Sequence, residues 1–281
     1  MYRDPVEERR VRAHYFVLAA HAVEGPRLLL LSANERFPNG LANSSDQVGR
    51  NLMDHPVLLS YALADEPVYP LRAPLSTAGV EQFRDGEFRA ARSGMRIEIG
   101  NDGWNWPVGA PPQFVRMLVT KGFRGDALKR ELNRQVTRQF RLAALLEQLP
   151  DPENRVTLDP VFKDSLGLPR PRLTYAVDGY AKQGRAAAME LHDRIFHAFG
   201  TSSTTHVPGF QGAGHIMGTT RMGTNPRTSV VDPNLRSHDH PNLFILGSGA
   251  FPTGACSNPT LTIAALALRC VPVLARALEQ G

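Results

Sequence analysis

Cysteine is scarce: the 281 residues include two, Cys256 and Cys270. Two are too few for a disulfide framework, and both sit in apolar sequence that suits buried thiols. Long hydrophobic runs are also missing. Unbroken apolar stretches such as Leu28–Leu31 and Ile263–Leu268 fall far short of the roughly 20 residues a bilayer-spanning helix needs, so no transmembrane segment is expected. Met1 is followed by Tyr2, Arg3, Asp4 and Pro5, which is no signal-peptide pattern. No block of one charge stands out either, because 32 Lys and Arg are interspersed with 27 Asp and Glu. The densest basic stretch, Lys129, Arg130, Arg134, Arg138 and Arg141, has helical spacing and no stacking aromatics woven into it, which argues against nucleic acid. What is present, 42% hydrophobic and 21% charged residues, is the composition of a folded globular chain rather than a disordered one. The 24 glycines and 22 prolines call for many turns, more than a helical bundle needs.

Along the chain, Val11–Ala20 reads as a buried strand. Glu24–Ala33 reads as a helix with Pro26 in its first turn. Together they form one βα unit of a parallel sheet. Asn39–His55 has loop composition. From Pro56 to Gly200 the texture is that of strands with one wet face, such as Met95–Ile99 and Phe114–Thr120. Short strands are also expected at Arg155–Leu158 and Leu173–Val177. A basic helix is expected over Asp126–Arg134. A second helix over Tyr180–Phe199 has Ala187, Leu191, Ile195 and Phe199 recurring every four residues. The last eighty residues return to α/β texture: a buried strand at Asn242–Leu246, a tight turn at Gly247-Ser248-Gly249, and a well-buried helix over Thr260–Glu279.

Three segments carry chemistry: His215-Ile-Met-Gly-Thr219 with Arg221-Met222-Gly223, Asn242–Thr253, and Ser257-Asn258-Pro259-Thr260-Leu261-Thr262. Together with AAHAVEGPRLLLLS, NSSDQVGRNLMDHP and PDPENRVTLDP earlier in the chain, they resemble the glucose-methanol-choline (GMC) family of FAD-dependent oxidoreductases, and the C-terminal part of such a protein in particular. Oxidising an alcohol by hydride transfer needs a base for the hydroxyl proton, and histidine accepts protons near neutral pH. No side chain accepts a hydride, so a cofactor must. The resemblance implies that the cofactor is FAD, that His215 is the base, and that Asn258 hydrogen-bonds the substrate oxygen. It also implies that Asn51, Asp54 and His55 run beside the flavin, although ordinary loop capping explains them equally well. Gly247, Ser248, Gly249 and Ala250 are either a plain tight turn or a backbone approach to the cofactor. Pro259 and Thr260 begin a helix whose positive N-terminus would face the flavin. At Ala20-His21-Ala22 the histidine stands where many members have glycine.

Other signals are weaker. Gly212-Ala-Gly214 follows no strand, and its spacing to Gly218 does not make a dinucleotide fingerprint. His238-Asp-His240 reads as a solvated turn, so no metal site is expected. Gly247-Ser248-Gly249 is not a nucleophile elbow, which argues against a serine hydrolase. No strand–Gly-x-Gly-x-x-Gly–helix unit is found, so the chain is expected to be truncated at its N-terminus.

The expected architecture is α/β. Residues 1–55 and 201–281 form an incomplete, Rossmann-like FAD-binding domain. Residues 56–200 form a substrate domain with an antiparallel sheet. The implied activity is a dehydrogenase acting on the CH–OH group of an alcohol or sugar. By resemblance to gluconate and fructose dehydrogenase flavoprotein subunits, it would pass electrons to a cytochrome or small-subunit partner. The same resemblance implies a periplasmic, membrane-associated setting through partner subunits. The competing class is a cofactor-free binding or interaction module derived from such an enzyme.

Overall fold

The computed structural model describes residues 11–70, 76–100 and 111–280. Its centre is a six-stranded antiparallel sheet built from β2 (Pro56–Ala64), β3 (Ser76–Val80), β4 (Met95–Gly100), β5 (Gln139–Leu146), β8 (Thr201–His206) and β9 (Gln211–Gly212). The order is β3-β4-β5-β2-β8, with β9 also pairing to β2. β2 and β5 are buried on both faces, which explains their nearly continuous apolar sequence. Both β8 and β9 belong to this sheet, so the antiparallel unit extends to Gly212 rather than stopping at residue 200.

Helix α4 (Gly179–Ala198) covers one face of the sheet. Asp178 caps it by accepting the Ala181 N–H at 2.7 Å. The expected stripe through Ala187, Leu191 and Ile195 is only partly buried. The fully buried line is one residue further on: Ala181, Gly184, Ala188, His192 and Phe196. The small residues on that line let the helix sit close to the sheet, and the larger side chains flank the contact. Leu58, Met95, Ile97, Leu142 and Leu146 complete this core.

The second unit is smaller. A short parallel pair joins β1 (Phe16–Leu18) to β10 (Leu243–Ile245), and helices α1 (His21–Leu31) and α5 (Thr260–Gln280) pack against it. The hairpin β6 (Arg155–Lys163) and β7 (Pro169–Thr174) docks on α1, not on the large sheet. Arg27 holds it, bonding Asp164 at 2.6 Å and the Pro169 carbonyl at 2.8 Å. These strands reach beyond the expected Arg155–Leu158, and the second begins four residues before Leu173.

Four expectations need correction. The strand near Val11–Ala20 is three residues long, and Phe16 and Val17 are about half exposed; apolar composition marked the strand but not what covers it. Helix α1 starts at His21, which puts Pro26 in its interior. Phe114–Thr120 is part of helix α2 (Pro111–Thr120), because Phe114 and Leu118, four residues apart, bury one face against Val136 of α3 (Gly125–Val136). Helix α5 is mostly exposed: Ile263, Leu266, Cys270, Val273, Leu274 and Ala277 pack inward, while Leu261, Leu268, Val271 and Leu278 face outward. Among the described residues, Thr260–Glu279 is also the one helix long and apolar enough to cross a bilayer by length and composition. Reading unbroken runs alone missed this, since Thr262, Arg269 and Pro272 interrupt an otherwise apolar 20-residue stretch.

Between α4 and the sheet runs a polar chain that starts at the surface at Asp193 and ends buried at Ser60 and His192. His206 Nε2 meets Asp193 Oδ1 at 3.0 Å, and Ser60 Oγ lies 2.7 Å from both His206 Nδ1 and His192 Nδ1. The order Asp–His–Ser is that of a hydrolase, but Ser60 is completely buried and its hydroxyl is bonded to both imidazoles, so the group is a packing network. Burial holds the His192 imidazole down to a pKa of about 3. Its folded pKa lies below the unfolded value near 6.5, so its contribution to stability is complete above about pH 6.5. That contribution is lost as pH falls from there toward 3. Urea unfolding followed at pH 7.5 and pH 4.5 should therefore show a smaller acid loss in His192→Leu than in the parent. Equal losses in the two proteins would refute the assignment.

Candidate functional site

His215 lies on the segment that leaves β9, and two sets of contacts fix it. On one side runs the stretch Asn51–His55. The backbones of Met53 and Met217 exchange two hydrogen bonds at 2.9 Å. Asp54 is buried, and its carboxylate accepts the N–H groups of His55 (2.7 Å), His215 (2.8 Å) and Gly214 (3.2 Å). Three backbone donors make this a strong, charge-assisted anchor. The Asp54 N–H in turn donates to Gln148 Oε1 at 3.1 Å, at the end of β5. On the other side, Gly218, Thr220 and Met222 donate to the carbonyls of Ser248, Gly249 and Ala250. The Ser248 hydroxyl donates to the Ile216 carbonyl at 2.6 Å.

This double strap explains two glycines. Gly218 has φ +91°, and a β-carbon there would sit 2.1 Å from the Asn51 carbonyl oxygen. A β-carbon on Gly249 would sit 2.6 Å from the Thr220 hydroxyl. Asn51 itself adopts φ 62°. Its side-chain amide donates to Gln47 at 2.9 Å and its oxygen faces Arg221.

His55 is fully buried. Its Nδ1 lies 2.8 Å from His215 Nδ1, and its Nε2 lies 3.0 Å from the carbonyl oxygen of Gly254. The two rings meet edge to face at 84°. Burial, followed by the neighbouring imidazole, pushes the His55 pKa down. Gly254 opens the loop that carries Cys256, Ser257 and Asn258 into α5. Asn258 is exposed, and its amide donates to Glu98 Oε1 of β4 at 3.3 Å. One imidazole thus bridges the His215 segment and the Asn258 loop. Glu98 and Gly254 escaped sequence reasoning. Glu98 read as one wet-face residue of an alternating strand, and nothing in the order of residues shows that this face meets the 254–258 loop.

The residues expected to hold a cofactor divide into two groups. The side chains of Asn51, Asp54 and His55 are committed within the protein: Asn51 to Gln47 and Arg221, Asp54 to backbone N–H groups, and His55 to His215 and the Gly254 carbonyl. Gly247, Ser248, Gly249 and Ala250 form a short 3-10 turn after β10. Gly247 has φ +111°, and the space where a β-carbon would stand is open. Pro259 and Thr260 open α5, whose first turn is largely exposed. The Ser257 hydroxyl and Arg221 Nε are buried without a hydrogen-bond partner among the described residues. Beside the loop, a cleft of about 460 Å³ is lined by Glu81, Arg84, Asp85, Arg89, Ala255 and Cys256. A larger cavity, about 660 Å³ along α3, is remote in sequence from His215 and holds none of these residues.

His21 keeps a left-handed backbone, φ 68°, so the path survives without glycine. His238 bonds Ser229 and the Gly223 carbonyl, Asp239 bonds Ser44, and His240 packs on Phe37. All three hold the fold together.

Residues 150–267 match the family described as GMC oxidoreductase. The chain is 38% identical over 280 residues to the fructose dehydrogenase large subunit of Gluconobacter japonicus, covering 100% of this chain and 50% of that protein. It is 31% identical over 287 residues to 2-methyl-1,2-propanediol dehydrogenase of Mycolicibacterium austroafricanum, covering 95% and 48%. In fold it is similar to the crystal structure of pyridoxine 4-oxidase from Mesorbium loti, with TM-score 0.61 and 20% identity over 91% of this chain and 50% of that one. The chain spans about half the length of the relatives it matches.

The geometry predicts that Gly218→Ala costs about 2–4 kcal/mol, because a side chain at positive φ also collides with backbone. Asp54→Asn should cost a similar amount, since an amide replaces one of the two acceptor oxygens facing three buried donors. Chemical denaturation checks both. A change below about 0.5 kcal/mol in either would show that the strap is not needed.

Proposed function

Because this chain belongs to the GMC oxidoreductase family, we propose that it forms the substrate-oxidising part of an FAD-dependent dehydrogenase acting on the CH–OH group of an alcohol or sugar. The carrying observation is the anchored His215, held from both sides and tied through His55 to the loop that presents Asn258. A site built with this much internal support suits a base that must be placed within a fraction of an ångström. The relatives described above are enzymes, which gives a cofactor-free binding module no support.

The residues present fit FAD. Gly247 offers open space at positive φ, and the Ser257 hydroxyl and Arg221 Nε lack partners among the described residues. Gly247–Ala250, Ser257 and the start of α5 at Pro259–Thr260 would hold it. When bound, FAD supplies the hydride acceptor that no side chain provides. The chain's own residues do the remainder. His215 takes the hydroxyl proton on its imidazole as the carbon gives up its hydride. Asn258 holds the substrate oxygen with a carboxamide that both donates and accepts. Glu98 accepts one amide proton of Asn258 and so fixes which way that carboxamide is turned. The N-terminus of α5 would favour negative charge on a group held against it.

The dehydrogenase reading is supported by the similarity to two proteins named dehydrogenases; electrons would leave to a cytochrome or quinone, in a periplasmic, membrane-associated setting through partner subunits. It is tested with FAD in excess, a panel of sugars and alcohols, and an artificial dye as acceptor. Dye reduction without oxygen consumption is expected, with kcat falling about 10²–10⁴-fold in His215→Gln. Turnover coupled to oxygen would move the protein to the oxidases. Undiminished turnover in His215→Gln would remove the base assignment.

A further inference from the structure

The two ring nitrogens of His55 meet different groups, His215 at Nδ1 and the Gly254 carbonyl at Nε2, and these contacts differ in kind. The Gly254 carbonyl oxygen only accepts, so His55 Nε2, 3.0 Å away, must carry a proton and donate it. His55 is completely buried, with no carboxylate oxygen against its ring nitrogens, and burial favours its neutral form. A neutral imidazole protonated at Nε2 has a lone pair at Nδ1. That lone pair lies 2.8 Å from His215 Nδ1, so His215 must donate there. Two imidazole Nδ1 atoms at this distance need one proton between them, and the Gly254 carbonyl decides whose proton it is.

We propose that His55 is a positioning residue that fixes His215 as the Nδ1–H tautomer and leaves Nε2 as its proton-accepting nitrogen. This rests on the reading of His215 as the base, and it goes further by naming the atom. A free neutral histidine distributes its proton between the two nitrogens. Here the relay Gly254 carbonyl–His55–His215 removes that freedom, so every neutral His215 presents a lone pair at Nε2. The same ring registers the 254–258 loop. Gly254 stands four residues before Asn258, and Ala255 beside it holds a left-handed backbone at φ 49°. A shift of the loop that withdrew the carbonyl would free His55 to change tautomer and reverse the hydrogen bond to His215. Base and substrate-positioning amide are therefore set by one chain of hydrogen bonds.

The tautomer is measurable on the chain itself without turnover, so its failure is separate from failure of the redox reading. Long-range proton–nitrogen correlation on ¹⁵N-histidine-labelled protein near pH 7.5 distinguishes protonated from bare ring nitrogens. His215 is assigned by the signals lost in His215→Gln, and His55 by those lost in His55→Asn. The expected result is a protonated Nδ1 and bare Nε2 for His215, with the reverse pattern for His55. In His55→Asn, the carboxamide oxygen replaces the Nδ1 acceptor, and His215 should keep its pattern. In His55→Leu no acceptor remains, and His215 should populate the Nε2–H tautomer. A parent protein with His215 protonated at Nε2 overturns the proposal. So does a folded His55→Leu, judged by circular dichroism, in which the His215 pattern is unchanged. If His55→Leu does not fold, the parent and His55→Asn spectra decide alone.

Discussion

The site depends on one buried carboxylate. Asp54 receives three backbone N–H groups from two segments about 160 residues apart in sequence, and it fixes where the chain bearing His215 crosses the stretch before β2. A buried charge is costly unless it is fully hydrogen-bonded. Here that requirement works as a constraint: the carboxylate is satisfied only when Gly214 and His215 occupy this place. The Met53–Met217 backbone pair continues the same register.

Around that anchor, buried amides join the two units of the fold. Gln148 accepts from the Asp54 N–H and from the Tyr175 hydroxyl, and it donates to the Ala176 carbonyl. Asn154 brackets Ala176 from the other side. The large sheet therefore ends in side chains that reach into the loop region, and the site sits where β5, the hairpin and the 51–55 stretch converge. The candidate residues lie on loops, while the sheet and α4 provide the rigid frame that places them.

Much of this was legible in sequence where a pattern and a local rule agreed. Helix α4 and strand β4 follow from periodicity, and β10 from a short apolar run before Gly247. Helix α2 was misread as a strand because seven residues of mixed apolar character fit either period, and the choice was made by packing against α3. The well-buried α5 was wrong for another reason. Apolar composition reports what a helix would gain by being covered, and only coordinates show which face is.

The chain's order of residues was enough to point to the family, to suggest the class of chemistry, and to nominate His215 and Asn258 as candidates, because those rest on motifs of neighbouring residues. It could not establish which groups stand behind them. His55 and Asp54 read as cofactor-side or capping residues, and Glu98 as part of a wet strand face. Their contacts join segments up to 200 residues apart, and such contacts are fixed by how sheet, strap and loop close on one another. Hydrogen-bond direction is decided there too, since it depends on which acceptor each buried donor finally meets.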